Sequence, residues 1–138
     1  MATQSISDAV AEMVAALETN VAAVIPGLQV NGYFNPQASP PTIDIYADTP
    51  FQEGAGFNVQ SKLLRWVVRA RVSNADPQAA ATTLYRLLDV TDPASVEVAL
   101  AGINVVVPDD GSVDGFATFA DDNAGDLIGA RWRVAAYL

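Results

Sequence analysis

A chain of 138 residues, 51% of them hydrophobic, is sized for one domain that buries roughly two-thirds of its unfolded surface and needs no disulfide or metal to hold it. It contains no cysteine and no histidine, which excludes disulfides, thiolate nucleophiles, histidine triads and histidine-ligated zinc or iron. Seven basic against sixteen acidic residues leave a net charge of −9, a balance opposed to reading nucleic-acid grooves by phosphate neutralisation.

The chemistry left open is that of carboxylates, tyrosine, or a Ser–Lys pair built on Lys62, the only lysine. Neither a GxGxxG nor a GxxxxGK phosphate loop occurs, and the expectation is a protein that is not an enzyme and uses no cofactor. The first residues lack the basic start and apolar run of a signal peptide, and no apolar stretch approaches the ~20 residues of a membrane span. A soluble, non-exported protein with no membrane partner is expected.

In chain order, Ile6, Val10, Met13, Val14, Leu17, Val21, Val24 and Ile25 recur at the three-and-four spacing of an amphipathic helix. Ser5 suits its N-cap, and Pro26-Gly27 ends it. Leu28 to Tyr33 reads as a short strand. After the turn-rich connector from Asn35 to Pro41, the alternation of Ile43, Ile45 and Ala47 with Thr42, Asp44, Tyr46 and Asp48 predicts a half-buried strand with an acidic outer side.

Residues 49–58, with Glu53-Gly54-Ala55-Gly56 between Phe51 and Phe57, read as a mobile hairpin loop. The two rings are either interface anchors or side chains tucked back onto the sheet. Lys62 to Val72 follows as one long strand. Leu64, Trp66, Val68, Ala70 and Val72 share one face, and Arg65, Arg69 and Arg71 the other, with Leu63 and Val67.

Asp76-Pro77 and Asp92-Pro93 each predict an acidic N-cap followed by a proline at the first helical position. The first helix should bury Leu84, Leu87 and Leu88. The second should bury Val96 and Leu100 and stop at Gly102. Ile103 to Val107 reads as a strand, Val113 to Phe119 as another, and Ile128 to Leu138 as the last, with Trp132 on its apolar side and Arg131 and Arg133 opposite. The predicted class is α+β: a single domain, 1–138, with helices packed on a mainly antiparallel sheet.

Charge is unevenly spread. Residues 1–61 carry six acids and no base, residues 62–90 five bases and two acids, and residues 91–138 eight acids and two bases. The two arginine-bearing strands are expected to be near neighbours, which places five arginines on one sheet face. That face reads as a subunit or partner contact, since arginine is enriched at interfaces and pairs with carboxylates in bidentate fashion. The plainer reading is a solvated face with cross-strand pairs to Asp44 and Asp48. Asp110, Ser112, Asp114, Gly115 and Asp121 match spacing positions of a calcium loop, although their flanks read as strands and an ordinary acidic turn is the simpler account. The pairs Asp109/Asp110 and Asp121/Asp122 read as solvated turn acids.

Taken together, the segments Ile25-Pro26-Gly27-Leu28-Gln29-Val30, Pro40-Pro41-Thr42-Ile43 and Trp66-Val67-Val68-Arg69-Ala70-Arg71-Val72, then Asp76-Pro77-Gln78-Ala79-Ala80, Leu84-Tyr85-Arg86-Leu87-Leu88-Asp89, Ser95-Val96-Glu97-Val98-Ala99-Leu100 and finally Arg131-Trp132-Arg133-Val134, resemble in order the tail terminator proteins of long-tailed bacteriophages. The resemblance implies a structural virion subunit, assembled in the host cytoplasm, that forms a ring, commonly a hexamer, on the head-proximal end of the tail tube. It would end tube polymerisation and offer a docking surface to a neck or head-completion protein, while DNA passes through the lumen without specific binding. No catalytic residue or metal comes with it. Arg65, Arg69, Arg71, Arg131, Arg133, Phe51 and Phe57 are the expected contact residues. The alternatives are another neck component, such as a head-closure or connector protein, and a small calcium-binding module.

Overall fold

A computed structural model describes residues 5–35, 41–55, 58–73, 75–101, 113–121 and 125–137, and of residues 50, 53–55, 58–62, 113–121, 125–128 and 137 the backbone alone. The fold is α+β. Helix α1 spans Ile6–Leu17 and continues into a π-helical segment, Glu18–Ala22. Strands β1 (Gln29–Asn31), β2 (Thr42–Ala55) and β3 (Asn58–Ser73) follow, then helices α2 (Pro77–Leu88) and α3 (Val96–Ala101), and strands β4 (Val113–Asp121) and β5 (Gly125–Tyr137).

The five strands form one sheet in the order β1-β2-β3-β5-β4. β1 runs parallel to β2, and every other neighbouring pair is antiparallel. The two arginine-bearing strands are therefore direct partners, as their shared pattern predicts. Their register is unbroken from Leu63↔Tyr137 to Ser73↔Leu127.

Because side chains alternate across a strand, that register sorts the sheet into two faces. Ile43 and Ile45, Leu64, Trp66, Val68, Ala70 and Val72, and Ala130, Trp132, Val134 and Ala136 join one buried cluster with the inward residues of all three helices. From the helices come Ala9, Met13 and Leu17, then Ala80, Leu84 and Leu87, and Val96, Ala99 and Leu100. Removing a leucine or isoleucine side chain of this kind from water contributes about 1.5–3 kcal/mol. The alternation of both long strands and the predicted core of both later helices hold, with Leu88 at the cluster's margin.

Local chemistry explains the helix starts. The Ser5 hydroxyl accepts from Asp8 N at 3.0 Å, and the Asp76 carboxylate accepts from Ala79 N at 3.2 Å, so each satisfies a donor that the first turn leaves without an intrahelical partner. Asp92-Pro93 behaves differently from the expectation. Its segment is a turn, in which Asp92 Oδ1 accepts from Ala94 N at 2.8 Å and both carboxylate oxygens take the Arg86 guanidinium at 3.2 and 3.4 Å. The helix begins only at Val96, with the Ser95 hydroxyl accepting from Val98 N at 3.2 Å. Asp92's oxygens are occupied in tying the α2–α3 joint to Arg86, and those bonds hold its carboxyl below the usual carboxylate range, the Ala94 N–H first and Arg86 second.

Two further expectations change. The region predicted as a hairpin loop is strand over 49–55 and at 58, so β2 and β3 form a long hairpin, with residues 56–57 outside the described residues. The pairing jumps from Ala47↔Trp66 to Gln52↔Leu64, a bulge that places extra residues in β2. The predicted strand 28–33 is reduced to Gln29–Asn31. Beyond it, a Cβ added to Gly32 would lie 3.0 Å from Val10 Cγ1, so a larger residue there would press on α1. The predicted strand at 103–107 and the stop at Gly102 lie outside the described residues.

Candidate functional site

On the sheet face away from the helices, the ladder lines up Thr42↔Arg71↔Gly129, Asp44↔Arg69↔Arg131 and Tyr46↔Val67↔Arg133, with Arg65 opposite Ala135. All five predicted arginines thus share one face. The middle row is the most telling: Arg69 stands directly across from Arg131, Asp44 flanks Arg69 on the β2 side, and Asp114 stands opposite Arg131 on the β4 side. Like charges directly opposite are unfavourable in a sheet, and Asp44 beside Arg69 answers that on the β2 side.

The five arginines do not have one environment. Arg71 is buried, 4% exposed, and is ion-paired to Asp44, which is 0% exposed. The Arg71 Nη2 also donates to the Asn35 carbonyl at 2.7 Å. Asp44 Oδ1 accepts from Asn31 Nδ2 at 3.0 Å, and Oδ2 accepts from Asn35 N at 3.1 Å. The segment after β1 is thereby tied down onto the sheet. Such a pair, taken out of water, holds only when the remaining hydrogen-bonding capacity of the carboxylate is met, and here backbone, asparagine and arginine meet it.

That tether carries two aromatics. The Phe34 ring meets Tyr46 edge-on at 5.5 Å and lies 5.1 Å from the Arg71 guanidinium; it remains 43% exposed, and Tyr33 beside it 61%. Arg69 lies 5.8 Å from the Tyr46 ring. Burial raises the Tyr46 hydroxyl above its ordinary pKa, against the lowering effect of Arg69, Arg131 and Arg71. Farther along, Arg131 and Arg69 are half-buried. Arg133 is open to solvent and reaches Asp48 only at 3.9 Å.

Of the predicted contact residues, Arg65, Arg69, Arg131 and Arg133 therefore sit together on the outer face, whereas Arg71 belongs to the tether. Phe51 turns to the helix side, edge-on to Trp66 at 5.5 Å and packed against the core; of its two readings, the tucked one holds. Phe57 lies outside the described residues. Sequence reasoning missed Tyr33 and Phe34. The available signal was an adjacent aromatic pair just after a glycine, at the end of a short strand.

The described part of the calcium-loop spacing is strand. Asp110 and Ser112 lie outside the described residues, but Asp114 and Asp121 occupy one strand, β4. At about 3.3 Å per residue their backbones stand roughly 20 Å apart, too far to share an ion. Among the described residues no group of three potential metal ligands forms, and no helix is long and apolar enough to cross a membrane.

No protein-family model matches the chain, and no curated protein matches it either.

Proposed function

We propose that this chain is a structural subunit of a phage virion, a tail terminator that caps the head-proximal end of the tail tube as a ring and presents its far side to the neck. The observation that carries this reading is the two-faced sheet. One face is sealed under three helices, and the other gathers five arginines in a chain of net charge −9. Arginines that stay half-buried or exposed on an outer sheet face suit a subunit that must bind acidic neighbours. The order of segments along the chain, which resembles that of tail terminators, supplies the identity of those neighbours. The excess acid elsewhere suits a lumen that repels DNA phosphates and lets the genome pass without adhering.

The work of such a protein is surface capture. One ring face copies the stacking interface of the tube, and the other does not propagate it. Contacts around the ring are head-to-tail and close by rotation. The test is to add the purified chain to polymerising tail-tube protein and follow tube length by electron microscopy and the state of the chain by native mass spectrometry. The expected result is tubes that stop growing at one end, each carrying a ring of this chain. A chain that stays monomeric with tube protein present, and leaves tube length unchanged, overturns the proposal. Capture by a portal-side neck protein in place of the tube would make it a head-closure component.

A further inference from the structure

We propose that the arginine face is the socket for a second copy of this chain, and that what seats in it is the outer side of α1. This rests on the ring reading above and names the two surfaces that meet.

The socket has the composition of a binding surface. Arg131 and Arg133 stand in consecutive rows on β5, Arg69 faces Arg131 across the ladder, and the exposed rings of Tyr33 and Phe34 border them, held by the Asp44–Arg71 tether. Aromatic and arginine side chains dominate the energetics of protein contacts. An acidic occupant complements the exposed Arg133 and the half-buried Arg69 and Arg131 beside it.

The chain itself supplies such a surface on its opposite side. Residues 1–61 contain no basic residue. In α1 the buried positions are Ala9, Met13 and Leu17, so at 100° per residue Asp8, Ala11, Glu12 and Ala15 share the outward side, and Glu18 extends it in the following π-helical turn. Asp8 and Glu18 are exposed, and Glu12 is half-exposed. The alanines between the acids let another surface approach closely, and arginine can then pair with carboxylate in bidentate geometry. Helices lie on one face of the sheet and arginines on the other. A contact between them is therefore head-to-tail by construction, the type that forms a ring when the rotation between copies closes.

Two charge reversals on the full chain test this. Glu12→Lys/Glu18→Lys changes the helix side and spares Asp8 at the helix N-terminus; Arg131→Glu/Arg133→Glu changes the socket. Circular dichroism and thermal melting establish that each folds. Sedimentation, alone and with tail-tube protein present, reads assembly. Wild type is expected to associate less as salt is raised. Each variant alone should assemble about tenfold more weakly or worse. An equal mixture of the two should recover wild-type assembly, since every junction in an alternating ring then joins opposite charges.

If wild type assembles and both variants assemble as well as it does, the inference falls and the ring reading stands. If the mixture fails to recover, the inference falls likewise. If wild type remains monomeric in both conditions, both fall. Binding of duplex DNA that is lost in Arg131→Glu/Arg133→Glu, without self-association, would overturn the second copy as occupant.

Discussion

Arg71 and Arg133 share one face of one sheet and have opposite roles. Arg71, under the Tyr33–Asn35 segment, is enclosed and paired to a fully buried carboxylate. Arg133, on the open middle of the face, has a half-exposed side chain and only a distant carboxylate at 3.9 Å. Strand periodicity makes them equivalent. What separates them is a connection that folds over the corner of the sheet at Arg71 and leaves Arg133 half-exposed. Residue type sets what a side chain can do; the covering chain decides whether it holds the fold together or meets a partner.

The contrast can be broken most severely at the buried end. Arg71→Ala leaves Asp44 charged and enclosed, and loss of one partner from a buried pair costs about 3–5 kcal/mol. Urea unfolding should register it as a lower midpoint, and an unchanged midpoint would mean that Arg71 is not the pin described. A smaller effect belongs to Phe34→Ala, which removes the edge-on contact with Tyr46 and the ring beside Arg71. About 1–2 kcal/mol is expected from the two together, measured in the same way, with the ion pair still present. Smallest is Arg133→Ala. An exposed pair at this distance is worth about 0–1 kcal/mol, so its unfolding midpoint should hardly move while its assembly weakens. A large loss of monomer stability in that variant would erase the distinction between the two arginines.

Much of this arrangement was legible from residue order. The alternation in Leu64 to Val72 and in Ile128 to Ala136 identifies the buried side of both strands, because a strand repeats every two residues regardless of what packs on it. Ser5 and Asp76 reveal two helix starts because capping is local. What was not legible depends on distant parts of the chain. Asp44 reads as an acid facing arginines, and it is one, but the Asn35 carbonyl and Arg71 lie 36 residues apart in sequence, and nothing in either segment shows that one covers the other. Phe51 reads as a loop aromatic because the bulge between Ala47 and Gln52 is a property of the pairing rather than of the residues in it. Asp92-Pro93 has the form of a helix start, yet Arg86, on the preceding helix, engages its carboxylate.

The π-helical turn at Glu18–Ala22 settles a problem of angular phase. Ala9, Met13, Leu17, Val21 and Ile25 are all buried at a strict spacing of four residues. In an undistorted α-helix each step of four overshoots a full turn by about 40°, so five such residues would spiral through about 160° and leave the core. A wider π turn undershoots instead. Placed at the end of α1, it winds part of that drift back and keeps Val21 buried with Leu17 before the chain turns at Ile25 and Pro26.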